Sequence, residues 1–166
     1  MGDEKSMTEE AGTLGALLRL PYQTLARRMY RELAGSGFPD VRPAFSSVFR
    51  FIAPEGSRVT DLAERAQMTK QSMGYLVDAL HERGYVAFAP DPDDRRAKRV
   101  RLTARGEAFH RAAVALSREY EAMLAERLGP EEMARLRELL ARLNEETERL
   151  PPLREAADAS WRADAR

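Results

Sequence analysis

Residues 59–106 read VTDLAERAQMTKQSMGYLVDALHERGYVAFAPDPDDRRAKRVRLTARG, and the fold turns on a change of period inside this stretch. In its first half apolar residues recur at helical spacing: Leu62, Ala63 and Ala66, then Met73, Leu76, Val77 and Leu80. Thr60 is placed to cap the first of two short helices, with Asp61 favourable in its first turn; Thr69 is placed to cap the second, and Gly84 to close it. The period then falls to two. Tyr85 to Ala89 is short, apolar and β-prone, and Pro90-Asp91-Pro92-Asp93-Asp94 is turn chemistry. From Lys98 to Leu102 residues alternate, Val100 and Leu102 on one face and Arg99 and Arg101 on the other. The stretch predicts two short helices, a tight turn between them, and a β-hairpin over 85–102.

The flanks are helical. Residues through Gly12 are polar and aperiodic and read as a mobile arm over 1–12. Leu14, Leu17 and Leu18 start a helix that Pro21 kinks or restarts, and Leu25, Met29 and Leu33 carry it to Gly35 and Gly37. Phe45, Val48, Phe49 and Ile52 form another after Pro43, stopped by Pro54-Glu55-Gly56. Beyond the hairpin, Thr103 caps a long helix with Phe109, Ala112, Ala113, Leu116, Tyr120, Met123 and Leu124 turned inward, as far as Gly129-Pro130. Met133, Leu136, Leu140 and Leu143 then alternate spacings of three and four, the seam pattern of a helix–helix contact. Pro151-Pro152 ends that helix, and a polar tail containing Trp161 follows. These leucines can serve a dimer or an intrachain core; spacing does not separate the two.

Composition narrows the chemistry. The chain has 166 residues, enough for one compact domain with appended helices, and no cysteine. Disulfides, thiolate metal sites and thiol-oxidation sensing are therefore excluded. The longest uncharged run, Ala11 to Leu18, is far short of the roughly 20 residues that span a bilayer, and acids precede it rather than a basic region. The expected compartment is the cytoplasm. His81 and His110, the two histidines, sit in no metal-binding spacing, and no nucleophile elbow, phosphate loop or carboxylate dyad is present. The reading is of a protein that is not an enzyme and uses no cofactor or metal.

The 27 basic and 27 acidic residues cancel, but unevenly. Between Arg95 and Arg105 there are six bases (Arg95, Arg96, Lys98, Arg99, Arg101, Arg105) and no acid. Such a cluster on a hairpin is the electrostatic footprint of a phosphate-backbone reader; taken alone it reads first as a solvated strand. Its context favours the first: two short helices, the second amphipathic, followed by a basic hairpin, form a winged helix-turn-helix. One helix fits a B-DNA major groove, provided its N-terminus is polar and unobstructed. Here that helix offers Thr69, Lys70, Gln71, Ser72 and Tyr75, with no acid before Asp78. Gln71 suits adenine, and Lys70 suits guanine or a phosphate. Gly74 leaves room for a close backbone approach, to DNA or to a neighbouring helix.

Residues 59–106 resemble the MarR family of winged-helix transcription regulators. The resemblance runs through Val59–Arg65, Leu76–Val86 and Asp91–Gly106, and its specific part is D-x-R followed by L-T-x-x-G, here Asp94, Arg96, Leu102, Thr103 and Gly106. With the flanking helices it extends over roughly residues 14–150. Gln67-Met68 departs from the pattern, standing where a glycine is often found before the recognition helix.

The resemblance implies a mainly α fold with a small β-hairpin wing, in which a winged helix-turn-helix lobe lies between N- and C-terminal dimerisation helices. The division is then 1–12 arm, 13–42 N-terminal dimerisation helix, 43–106 DNA-binding lobe, 107–150 C-terminal dimerisation helices and 151–166 tail. It further implies a homodimer on a pseudo-palindromic duplex. The wing residues are Asp94, Arg95, Arg96 and Lys98; Arg96 would enter the minor groove, with Asp94 holding it by a charge-assisted pair. A small aromatic or anionic effector is implied as well, for which Tyr30, Phe45, Phe49, Arg50 and His110 could line a cleft or, as an aromatic stripe at helical spacing, belong to the core. The reading from another class is a winged-helix module for protein interaction, without DNA affinity.

Overall fold

The computed structural model describes residues 12–94 and 96–150. The arm through Ala11, Arg95 and the tail with Trp161 lie outside the described residues. Seven α-helix and strand segments follow the first helix α1, Leu14–Gly35: α2, Ser46–Phe51; α3, Val59–Arg65; α4, Lys70–Glu82; β1, Val86–Pro90; β2, Lys98–Leu102; α5, Ala104–Leu128; and α6, Pro130–Arg149. The chain clusters into two compact units that divide after Tyr120, within α5.

The first unit holds the core. Leu33 of α1, Val48 and Phe49 of α2, Leu62 of α3, and Met73, Leu76, Val77 and Leu80 of α4 are buried together with Tyr85, Val86, Val100 and Phe109. The α4 residues recur at three and four, so one stripe of that helix faces the core and the other faces away. Phe109 anchors the start of α5, its ring 4.5 Å from that of Phe49 and 5.8 Å from that of Tyr85. These centroid spacings are those of favourable aromatic pairs.

The hairpin is antiparallel, with Val86 opposite Leu102, Phe88 opposite Val100 and Pro90 opposite Lys98. Ser57 adds a single-residue bridge on its other side, exchanging both backbone hydrogen bonds with Val100 at 3.0 and 2.8 Å. Sequence patterning misses this bridge, because one residue carries no periodicity.

The bridge also explains a correction. Helix α3 starts at Val59 behind Arg58, so Thr60 lies inside it and is not its N-cap. With Ser57 held in the sheet, the chain turns into the helix two residues earlier than expected, and the Thr60 hydroxyl donates to Asp61 instead (3.1 Å). Thr69 does cap α4, accepting the Ser72 N–H at 3.1 Å. The second expected helix opens with a 3-10 turn, Pro43–Phe45, before α2. Pro21 neither stops nor restarts α1, which runs unbroken through it. Pro21 is exposed, so water can satisfy the carbonyl that its missing N–H leaves free.

In the second unit, α6 buries no residue, and its seam leucines Leu136 and Leu140 are exposed. Met123, expected inward, is also exposed. On α1, Leu14 and Leu17 are more than half exposed (56% and 58%). Within the single chain these side chains are surface, not core.

Candidate nucleic-acid interface

The two-residue period of the hairpin and the capped start of α4 place two polar features on the first unit: a helix tip and a wing. At the tip, Thr69, Lys70, Gln71, Ser72 and Tyr75 are all exposed, Tyr75 at 76%. The Thr69 hydroxyl is engaged locally, donating to the Ser72 hydroxyl at 2.8 Å. Lys70 has no acidic partner among the described residues, and the tip points the positive end of a 13-residue helix outward. A Cβ added at Gly74 would meet nothing within 4 Å, so the missing side chain serves no intrachain packing. Before the tip, Gln67 adopts φ 52°, the left-handed conformation that a glycine would take without strain. The Met68 N–H closes onto the Ala63 carbonyl at 2.8 Å, so the turn keeps its shape despite the substitution.

The wing is fastened by a residue that sequence reading leaves in a turn. Asp91 is buried and accepts the Nε–H groups of Arg58 at 2.6 Å and Arg99 at 3.1 Å, and the Asp93 backbone N–H at 2.9 Å. These hydrogen bonds, Arg58's first, hold its carboxyl well below the usual carboxylate range despite the opposing effect of burial. Arg58 precedes α3 and Arg99 lies on β2, so one carboxylate ties the helical lobe to the hairpin. Of three acids in Asp91-Pro92-Asp93-Asp94, only the tertiary fold distinguishes the one turned inward.

Asp94 meets Arg96 differently from expectation. Its Oδ1 accepts the Arg96 backbone N–H at 2.9 Å, a local turn closure, and no Asp94–Arg96 side-chain ion pair forms. The Arg96 guanidinium therefore has no acidic partner among the described residues. Lys98 rests over the Phe88 ring at 5.9 Å. The other described bases of the cluster are engaged: Arg99 with Asp91 and Asp93, Arg101 with the Glu55 carbonyl, and Arg105 with Asp40. Folding thus separates a cluster that looks uniform in sequence into structural cations at the wing base and available ones toward its tip.

The L-T-x-x-G signature has a steric reason. Thr103 accepts the Gly106 N–H at 3.1 Å, while its own hydroxyl donates to the Gly84 carbonyl at 2.6 Å. A Cβ at Gly106 would lie 2.1 Å from the Tyr85 carbonyl oxygen, so the helix can begin against the strand only with glycine there. Beside it, the Tyr85 hydroxyl donates to Asp40 at 2.6 Å, and Arg105 donates to the same carboxylate at 3.1 Å. Burial, reinforced by this bond to Asp40, pushes the Tyr85 phenol up.

Of the expected effector-cleft residues, Phe45 and Phe49 lie in the core cluster, Tyr30 is half-buried, and Arg50 and His110 are exposed. His81 places Nδ1 3.0 Å from the Val86 carbonyl. No group of three or more potential metal ligands occurs among the described residues, and no helix there is long and apolar enough to cross a membrane.

Comparison with known proteins agrees with this geometry. The family model described as MarR family matches residues 41–97, from the end of the α1–α2 connection through the wing turn. The transcriptional regulator HosA of Escherichia coli O111:H- is 30% identical over 127 residues, which cover 76% of this chain and 90% of HosA. This chain belongs to the MarR family. It is a MarR-type transcriptional regulator, mostly helical with a two-stranded antiparallel wing. Among solved MarR-like structures, the repressor CouR, bound to a 23-mer DNA duplex, is 26% identical with a TM-score of 0.63, covering 83% of this chain and 96% of CouR. A probable transcriptional regulator from Pseudomonas aeruginosa is 27% identical with a TM-score of 0.59, covering 80% and 97%. Streptococcus pneumoniae FabT, in complex with DNA, shares the MarR fold with a TM-score of 0.71 at 19% identity, covering 83% and 97%.

Proposed function

We propose that this MarR-type regulator binds double-stranded DNA sequence-specifically, as a homodimer on a pseudo-palindromic operator with half-sites about one helical turn apart. The observation that carries the reading is the exposed polar tip of α4, Thr69, Lys70, Gln71, Ser72 and Tyr75, together with a wing whose Arg96 is exposed and has no acidic partner among the described residues. In this reading Gln71 contacts base edges and Lys70 a phosphate, and Arg96 and Lys98 follow the flanking backbone and minor groove, with Arg95 completing the wing. The exposed leucines of α1 and α6 supply the apolar surface a dimer would cover. Duplex-bound relatives such as CouR support the nucleic-acid partner. Modulation by a small aromatic or anionic effector belongs to the same reading, with Tyr30, Arg50 and His110 the accessible members of the expected cleft.

The test is selection of bound oligonucleotides from a random duplex library, followed by titration across salt. An enriched inverted repeat, with log K falling steeply against log[salt], is the expected result. No enrichment, or a flat salt profile, would leave the winged helix as a protein-interaction module.

A further inference from the structure

The C-terminal half of α1 and the end of the first unit form an open concavity of about 350 Å³, lined by Thr24, Arg27, Arg28, Arg31 and Glu32, all exposed, and by the half-buried Tyr120. Thr24, Arg27, Arg28 and Arg31 follow each other at three, one and three residues, which places them on one side of the helix. None of the three arginines forms an ion pair among the described residues, although Glu32 is adjacent in sequence. Like charges one turn apart on a helix repel. Elsewhere among the described residues Arg58, Arg99, Arg105, Arg111, Arg137 and Arg149 meet carboxylates. What sets these three apart is that they line one concavity with a single carboxylate, Glu32, which leaves it an excess of positive charge.

We infer that this concavity binds a phosphorylated, hydroxyl-bearing small molecule, of the class of sugar phosphates. Three guanidinium groups against one carboxylate leave two positive charges, which match a phosphate monoester of roughly −1.5 to −2 at neutral pH. Guanidinium forks bind phosphate oxygens in pairs of parallel hydrogen bonds, and the three terminal oxygens of a phosphate monoester let it engage more than one fork at once. The volume falls within the range of about 300–1,000 Å³ found for small-molecule sites and exceeds what a bare phosphate fills. The Thr24 and Tyr120 hydroxyls and the Glu32 carboxylate supply the neutral and acceptor groups that a hydroxylated carrier needs. The site is separate from the expected effector cleft and shares none of its residues.

The experiment is thermal-shift and calorimetric titration of the full-length protein, in its solution assembly and without DNA, using ribose 5-phosphate, ribose and inorganic phosphate. The outcome is then independent of the DNA-binding reading. Ribose 5-phosphate is expected to bind saturably and raise the unfolding midpoint; ribose is expected to do neither, and inorganic phosphate to bind at least about tenfold more weakly. Arg28→Gln and Arg31→Gln are each expected to weaken ribose 5-phosphate binding by about tenfold, the loss of one charge-assisted contact. Arg19→Gln, exposed near the start of the same helix, is expected to leave it unchanged. Absence of saturable binding, or equal binding by the wild type and both concavity variants, overturns the proposal. Either result would follow if acidic residues of a second copy already neutralise these arginines.

Discussion

Asp91 and Arg58, 33 residues apart in sequence, are joined by a 2.6 Å hydrogen bond between a buried carboxylate and a guanidinium that is partly open to solvent. The bond fastens the turn of the wing to the residue preceding α3. It also sets how the wing responds to acid.

Asp91→Asn is expected to lower the urea midpoint near neutral pH, since the amide cannot sustain charge-assisted bonds to both Arg58 and Arg99. The pH dependence has a definite sign. A carboxyl whose native value lies below its ordinary 3.8 contributes stability that is complete above that value and lost as pH falls toward the depressed one. Urea titrations from about pH 7 down to about pH 2 should show the wild type converging on the variant only in the acid range. A constant gap would mean that the carboxylate's charge contributes nothing.

Gly106→Ala is expected to destabilise the fold by about 3 kcal/mol, the upper range for overpacking, because the added methyl meets the Tyr85 backbone carbonyl rather than a yielding side chain. Chemical denaturation measures this directly. Gly15→Ala, on α1 with open space around it, serves as the control and should be neutral or stabilising.

Gln67→Gly is expected to stabilise by about 0.5–1 kcal/mol, the reverse of the usual effect of introducing glycine. Gln67 is exposed and loses no packing, while its φ of 52° is strained for a side chain. A thermal melt that shows destabilisation would mean the glutamine makes an offsetting contribution.

At the proposed duplex surface, Gln71→Ala is expected to relax selectivity at one base position at a cost of about 1–3 kcal/mol on the preferred site. Lys70→Ala as a phosphate contact should weaken all sequences alike and reduce the salt slope by about 1. Arg96→Ala should reduce affinity most where an A·T tract narrows the flanking minor groove. Gel-shift titrations on selected and scrambled duplexes separate the three; an unchanged Arg96→Ala profile would remove the wing tip from the interface.

Local chemistry in the sequence was enough to place most elements of the fold. The Thr69 cap, the apolar stripe of α4, the Gly84 stop and the alternation from Lys98 to Leu102 are all decided by neighbours within a few residues, where backbone sterics and amphipathic spacing act directly. The exposed polar tip follows from the same stripe, since a helix that buries one face must present the other. What the sequence leaves open depends on contacts across long separations. The Ser57 bridge moves the start of α3, Asp91 rather than Asp94 takes the ion pairs, and Arg99, Arg101 and Arg105 are committed to the scaffold while Arg96 is not. In sequence these arginines are equivalent charges, and three-dimensional packing alone brings an acid or a carbonyl to some of them. The Arg27, Arg28 and Arg31 concavity has the same origin: ordinary exposed helix residues by sequence, they line a concavity because the fold sets Tyr120 beside them.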